Sequence, residues 1–230
     1  MSEKTKLGNF FEDFRVGQTI THATPRTLTE GDVALYTAVT GSRFAVTSAD
    51  TFAQSLGFPR APIDDLLAFN IVFGKTVPDI SLNAVANLGY ASGRFGCPLY
   101  PGDTLTADST VIGLKENSDG KTGIVYVRSC GVNQRGQIAL DYCRWVMVRK
   151  RDPASPAPET VVPDLPAAVA AGDLIVPAGI KVESYGIALS GSPDLWDDYH
   201  VGERIDHVDG MTIEESEHMM ATRLYQNTAR

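Results

Sequence analysis

This sequence has no long apolar run, no excess of basic residues and no closely spaced cysteine pair. No stretch approaches the roughly 18 apolar residues of a membrane-spanning helix, so none is expected. The formal net charge of −8 argues against general nucleic-acid binding, which needs a basic surface. Residues 1–7 have no apolar core, so a secretory signal is not expected. These features predict a cytoplasmic protein that binds neither nucleic acid nor membrane.

The three cysteines are odd in number and show no CxxC spacing: Cys97, Cys130 and Cys143. Free thiols of this kind fit a reducing cytoplasm. Cys130 and Cys143 lie in alternating apolar stretches, which favours core packing over the alternative of a catalytic thiol. The four histidines have no metal-ligand spacing, so the sequence predicts no metal site.

The sequence does contain an internal repeat. Residues 11–41 align without a gap on residues 196–226, at a constant offset of 185, with eight identities. Asp13, Gly17 and His22, for example, recur at the same offset. Because such a repeat shows how the chain divides into domains, it takes precedence over the prediction of any single helix or strand. We therefore expect a complete first domain over residues 1–150 and the opening of a second over residues 196–230.

The segment between the two copies, residues 151–195, is rich in proline and alanine. Proline cannot donate to a strand ladder and favours extended spacers. This composition predicts a linker.

The first domain opens with a short strand and a helix. Residues 18–22 alternate between polar and apolar side chains, as in a strand. Thr27 and Glu30 have the spacing of a capping box, which predicts a helix that ends at Gly41. A further helical stretch is predicted over residues 50–56.

Residues 64–77 are apolar nearly all round, which is typical of a buried helix. Asp64 and Asp65 stand at its start, where negative charge suits the helix dipole. Pro78 is predicted to end it.

The period then changes to two, which predicts strands over residues 87–94, 104–115, 122–133 and 137–150. Glycine-containing turns connect the last three as hairpins. A buried helix laid along a curved antiparallel sheet is an α+β domain. Two such units commonly pair to close the core, so a homodimer is also expected.

Six phrases of the sequence resemble one family. They are residues 58–67 (FPRAPIDDLL), 71–82 (IVFGKTVPDISL), 100–105 (YPGDTL), 111–117 (VIGLKEN), 126–128 (YVR) and 222–229 (TRLYQNTA). The likeness is to the MaoC-like, R-specific enoyl-CoA hydratases of the hotdog fold, and more narrowly to the mesaconyl-CoA hydratases, or β-methylmalyl-CoA dehydratases. It implies a double hotdog enzyme of which this chain carries the first half and the start of the second.

The resemblance also implies an Asp/His acid–base pair just after the first helix of a catalytic unit. The first copy has Ser42 and Thr47 at those positions, so it is expected to be the non-catalytic half. In the second copy the repeat places Asn227 at the Asp position, and the His position falls two residues beyond Arg230. Asn227 can orient water or a carbonyl but cannot act as a base. The alternative interpretation is a helix C-cap.

A mesaconyl group carries a free carboxylate, so a buried arginine is expected to bind it. Arg43, Arg60 and Arg94 are the candidates, each with the alternative of a surface or structural arginine. The start of the buried helix at Asp64 suits a site for the thioester oxygen. Tyr225 is a candidate for lining the substrate site. The alternative is that it only packs at the end of its helix.

The expected function is the reversible hydration of mesaconyl-CoA by a hydro-lyase that needs no cofactor, because coenzyme A is part of the substrate. Two alternatives remain open. One is an acyl-CoA-binding hotdog module without chemistry, which Ser42 and Thr47 permit. The other is a hotdog thioesterase in which Asp64 or Asp65 activates water.

Overall fold

The computed structural model describes residues 8–227. The helices are α1 (Glu30–Thr40), α2 (Ala45–Ser48), α3 (Asp50–Ser55), α4 (Asp65–Thr76), α5 (Ile187–Ser190) and α6 (Glu215–Tyr225). The strands are β1 (Thr19–Thr27), β2 (Ala84–Phe95), β3 (Thr104–Glu116), β4 (Thr122–Val132) and β5 (Ile138–Arg149). No helix in this part of the chain is long and apolar enough to cross a lipid bilayer.

The five strands form one antiparallel sheet in the order β1-β3-β4-β5-β2. Helix α4 packs against the face of this sheet through Leu67, Ile71 and Val72, which are fully buried. Val72 approaches β4 so closely that a Cβ on Gly131 would stand 2.5 Å from its side chain. The predicted α+β class and the buried helix are confirmed.

Helix α4 is not buried on every side, although its sequence is apolar nearly all round. The Leu66 side chain is 57% exposed, and Phe69 and Phe73 are partly exposed. The apolar flank of α4 that the sheet does not cover therefore remains open in this chain.

Two predicted helix boundaries are wrong. The capping box belongs to Thr29 and Asp32, not to Thr27 and Glu30, because Thr27 is the last residue of β1 and pairs with β3. Pro78 does not end helical backbone either. It lies in the first turn of a π-helical segment, Val77–Ser81, that continues α4. Proline fits there because the Gly74 carbonyl, which an N–H at position 78 would use in an α-helix, already accepts from the Val77 N–H.

A buried polar chain ties β1 to the turn after α4. His22 Nδ1 lies 2.8 Å from Asp79 Oδ2, and His22 Nε2 lies 2.7 Å from Ser109 Oγ. Ser109 Oγ in turn lies 2.7 Å from Ser129 Oγ. His22 thus makes a structural contact from β1 to the helical segment that continues α4.

The repeat is visible in the structure at the same offset. A 3-10 turn at Phe11–Asp13 recurs at Trp196–Asp198, and α1 recurs as α6. The surroundings of the two copies differ. Phe11 is fully buried against β3, β4 and β5, whereas Trp196 is 89% exposed. The counterpart of β1, residues 204–212, is not a strand, because no described strand lies beside it.

The proline-rich segment is held against the first unit. Val161 forms an isolated antiparallel bridge with Leu114 on the edge of β3. Further along, the Tyr185 ring packs edge-on against Phe52, with ring centroids 5.4 Å apart, and Lys181 N–H donates to the Leu56 carbonyl. The segment therefore covers parts of the first unit.

Candidate active site

The N-terminus of α4 is occupied by its own carboxylate. Asp64 Oδ1 accepts from the Leu66 N–H at 2.8 Å and from the Tyr36 hydroxyl at 3.3 Å, and Oδ2 accepts from Ser42 Oγ at 3.4 Å. Burial and the nearby Asp64 raise the pKa of Tyr36, so its hydroxyl remains a donor. Because a carboxylate already uses this helix end, the first unit is poorly suited to bind an enolate oxygen there.

An apolar cavity of about 640 Å³ opens beside the same helix end. Its walls come from the α2–α3 region, the start of α4, the end of β2 and the proline-rich segment, and include Phe44, Phe58, Leu66, Phe95, Val176 and Ile180. Burial by these walls and the adjacent Asp64 raise the pKa of Asp65 to about 6, although solvent still reaches its side chain. Asp65 can therefore exchange a proton near neutral pH.

Ser42 and Thr47 stand at the acid–base positions that the resemblance implies. Ser42 donates to Asp64, and Thr47 lines the apolar cavity and donates to the Phe44 carbonyl at 3.2 Å. Neither hydroxyl titrates near neutral pH. The structure thus brings the two positions to the helix end but supplies no acid–base pair from them.

Helix α6, from the second copy, docks on the first unit. Leu224 is buried in the main core, and Arg26 Nη1 donates to the Leu224 carbonyl. A Cβ on Gly74 of α4 would stand 1.8 Å from the Tyr225 carbonyl oxygen. Burial and the charge of Asp64 raise the pKa of Tyr225, which places the Tyr225 ring near the start of α4.

Asn227 follows directly at the end of α6. Gln226 adopts the left-handed conformation with φ 53°, and Asn227 N–H donates to the Thr222 carbonyl at 3.0 Å. The C-cap of α6 is therefore Gln226. The alternative interpretation of Asn227 as the C-cap residue is wrong. The backbone of Asn227 therefore closes the end of α6.

A cleft of about 780 Å³ separates α1 from the second copy. Arg43 and Tyr225, two of the predicted site residues, both line it, together with Met211 and His218. The Arg43 side chain is 81% exposed and forms an ion pair with Asp209 at 2.8 Å. Arg43 is therefore at the surface of the cleft.

Arg60 and Arg94 lie apart from this cleft. Arg60 pairs with Glu30 at 3.2 Å and donates to the Pro101 carbonyl at 2.7 Å. Arg94 pairs with Asp173 at 3.5 Å. Both are partly exposed. The structure therefore places none of the three candidate arginines in the buried environment expected for a carboxylate-binding residue.

Arg144, which is not among the predicted site residues, is fully buried in β5. The signal was present, because Arg144 alternates with Tyr142, Val146 and Val148 on the face of β5 that packs on the core. An arginine on the apolar face of a predicted strand is an anomaly that alternation alone reveals.

Comparison with known proteins identifies the family. The sequence model that describes mesaconyl-CoA hydratase matches residues 1–190, most of the chain. The chain belongs to the mesaconyl-CoA hydratase family. The predicted resemblance is thereby confirmed.

Two relatives within this family are similar along nearly the whole chain. The β-methylmalyl-CoA dehydratase of Chloroflexus aurantiacus is 71% identical over 230 residues, which are 100% of this chain and 65% of the relative. The mesaconyl-CoA hydratase of Cereibacter sphaeroides is 61% identical over 227 residues, which are 99% of this chain and 66% of the relative. The chain thus spans just under two thirds of the length of these curated relatives.

Solved structures confirm the hotdog fold of this mesaconyl-CoA hydratase family member. A putative MaoC domain protein dehydratase from Chloroflexus aurantiacus superposes with a TM-score of 0.95 at 71% identity, covering 100% of this chain and 65% of the other. RV0216 of Mycobacterium tuberculosis, described as a double hotdog fold, gives a TM-score of 0.61 at 26% identity. The superposition covers 71% of this chain and 52% of the RV0216 chain.

Proposed function

We propose that this chain is part of a hydro-lyase that reversibly hydrates mesaconyl-CoA to β-methylmalyl-CoA, with the first hotdog unit as the non-catalytic half. The observation that carries the proposal is its membership of the mesaconyl-CoA hydratase family, joined to the docking of a second repeat on the first. The names of the two curated relatives support the same reaction in both directions.

The reaction needs a base that activates water at C3, an acid that protonates C2, and donors for the enolate oxygen. In the first unit Ser42 and Thr47 cannot exchange protons near neutral pH, and the Asp64 carboxylate already accepts from the Leu66 N–H at the start of α4. These contacts favour a structural role for the first unit. It provides the surface against which the second unit packs.

Asn227 is the residue that we assign to the reactive site. Its position at the end of α6 is fixed by the buried Leu224 and by the contact of Tyr225 with Gly74. A side-chain amide there can orient the attacking water or polarise a carbonyl, while the proton-exchanging group must come from another residue. Tyr225, held beside it as a neutral phenol, lines the same cleft.

A thioesterase is the second candidate, and one observation favours it. Asp65 faces an apolar cavity of about 640 Å³ and has its pKa raised to about 6 by burial and by Asp64, as a water-activating base requires. An acyl-CoA-binding module without chemistry is the third reading.

One experiment separates the three. The chain, and the same chain extended past Arg230 with the part of its 71% identical relative that it does not cover, are incubated with mesaconyl-CoA. Loss of enoyl absorbance and release of free thiol are followed separately. We expect hydration in the extended form and no thiol release in either. Thiol release that disappears in Asp65→Asn would establish the thioesterase instead, and binding without turnover in both forms would leave only the binding module.

The remaining expectations are part of the same proposal. The acyl-CoA thioester is the substrate, and no further cofactor is required, because water is the only other reactant. We also propose a homodimer, supported by the open flank of α4 at Leu66, and a cytoplasmic location, supported by three free cysteines. Light scattering on the purified protein tests the dimer, since a monomer mass contradicts it.

A further inference from the structure

Arg144 is a full positive charge inside the first unit. Its side chain has 0% exposure, between β5 and the C-terminal half of α4. Burial lowers the pKa of Arg144, and only the nearby Tyr142 and Tyr90 oppose that shift. A buried charge is costly unless it is paired and hydrogen-bonded.

The protein supplies only part of the pairing. Arg144 Nη2 donates to Thr76 Oγ1 at 2.8 Å and, more weakly, to Ser81 Oγ at 3.5 Å, and the guanidinium carbon lies 4.5 Å from the centre of the Phe73 ring. Nε and Nη1 make no hydrogen bond within the described chain. Within residues 8–227 Arg144 also forms no ion pair with a carboxylate.

Aromatic rings surround the unpaired nitrogens. Tyr142, two residues away on the same face of β5, has a buried hydroxyl that forms no hydrogen bond of normal geometry within residues 8–227. Tyr90, directly opposite Arg144 on β2, is 48% exposed, and β2 is an edge strand. The Tyr90 and Tyr142 ring centroids are 6.2 Å apart. Tyr90 therefore lies beside Arg144 and is itself partly open to solvent.

This charge lies close to the end of α6. The guanidinium stacks on Phe73, and the next residue of α4, Gly74, is the one that the Tyr225 carbonyl touches. Consecutive helix residues point about 100° apart. Arg144 and the segment Tyr225–Asn227 therefore flank the same turn of α4 on neighbouring sides.

We propose that Arg144 binds the free carboxylate of the substrate's acyl group and so selects a dicarboxylic enoyl thioester over a monocarboxylic one. The inference rests on the proposed hydratase function and names the specificity residue of that site. A carboxylate supplies the anionic acceptor that Nε and Nη1 lack. The three surface arginines are already paired with Asp209, Glu30 and Asp173, whereas Arg144 is not.

The test compares two substrates on Arg144→Met, Arg144→Lys and the unsubstituted protein, in whichever form hydrates mesaconyl-CoA. The second substrate is 2-methylcrotonyl-CoA, in which a methyl group stands where mesaconyl-CoA has its carboxylate. Because an unpaired buried carboxylate is strongly disfavoured, Arg144→Met should lower kcat/KM for mesaconyl-CoA by about 100-fold, mainly through KM. Its kcat/KM for 2-methylcrotonyl-CoA should stay within about threefold.

Arg144→Lys keeps the charge and should recover part of the loss on mesaconyl-CoA alone. Equal losses on both substrates, or none on either, would overturn the proposal, because a structural arginine does not distinguish them. Melting temperatures are recorded for both variants. If Arg144→Met does not fold, the values of kcat/KM of Arg144→Lys for the two substrates decide. A loss on mesaconyl-CoA alone supports the proposal, and equal losses or none overturn it.

Failure of the proposed function looks different. If the unsubstituted protein hydrates neither substrate, the hydratase proposal falls. Calorimetric titration with both thioesters then still tests Arg144, because preferential binding of mesaconyl-CoA that is lost in Arg144→Met supports the carboxylate contact. Equal binding of the two thioesters by the unsubstituted protein rejects it.

Discussion

The carbonyl oxygen of Tyr225 rests on the backbone of Gly74, where a Cβ would stand 1.8 Å away. Only glycine allows this approach, since no L side chain lets two backbones come so close. The contact joins the central helix of the first unit to the first helix of the second copy. It is therefore one of the contacts through which the two repeats depend on each other, beside the buried Leu224.

Gly74→Ala is expected to dislodge α6. The obstructing atom belongs to backbone and cannot rotate away, so overpacking should cost about 1–3 kcal/mol or release the helix. Limited trypsin digestion should then cut at Arg223 at least about tenfold faster. Gly93→Ala is the matched control, because nothing lies within 4 Å of a Cβ there. Equal cleavage of both variants would show that the close contact does not hold α6.

The repeat supplies its own control for core packing. Phe11→Ala should lower the free energy of unfolding by about 3–5 kcal/mol, because the ring is fully buried against Gly123 and the valines of the sheet. Trp196→Ala, at the equivalent position of the second copy, should change it by less than about 0.5 kcal/mol, since that ring is exposed. Urea denaturation measures both. A large loss for Trp196→Ala would mean that its ring is covered in solution.

The two neighbouring aspartates at the start of α4 should respond in opposite directions. Because the pKa of Asp65 is raised to about 6 in the folded state, ionisation destabilises the fold, so stability is lost as the pH rises from about 4 through 6. Asp65→Asn should stabilise the protein at pH 7.5 by at most about 1 kcal/mol after solvent screening, and not at pH 4.

Asp64→Ala should destabilise by about 1 kcal/mol at pH 7.5, because it removes the cap on Leu66 N–H. Thermal melts at the two pH values measure both variants. A stabilising effect of Asp65→Asn that is the same at pH 4 and 7.5 would contradict the raised pKa.

His22 should make the fold sensitive to acid. Burial lowers the pKa of His22, so the unfolded chain binds more protons than the folded one below about pH 6.5, and stability should fall as the pH drops through that value. His22→Gln should flatten the pH dependence between 7 and 5 while His207→Gln, at the exposed equivalent position, leaves it unchanged. The slope of unfolding free energy against pH is the measurement, and identical slopes for both variants would reject the assignment.

The sequence was most informative where structure depends on local pattern. The bounds of α1 and α6 differ by the predicted offset of 185, because capping and helical propensity act within one turn. The capping box moved by two residues because Thr27 is claimed by β3, a partner that a local pattern does not reveal. The continuation of helical backbone past Pro78 likewise depends on packing against the core.

The candidate site was less predictable, because it too depends on contacts between residues that are distant in sequence. Helix position and repeat spacing were enough to bring Asp64, Ser42 and Tyr225 into one region. The three predicted arginines stay at the surface because they pair with acidic residues from other segments, which a local pattern does not reveal. The alternation of β5 singles out Arg144, but its contacts with α4 and its pairing with Tyr90 on β2 depend on the folded register.

The two copies of the repeat also separate local from non-local folding. The turn and the helix form in both copies, but among the described residues the strand forms only in the first, where β3 lies beside it. Pairing β1 with β3 closes a long loop, a cost in chain entropy that a turn or a single helix does not carry. The outer strand therefore depends on a partner distant in sequence, whereas the turn and the helix are specified locally.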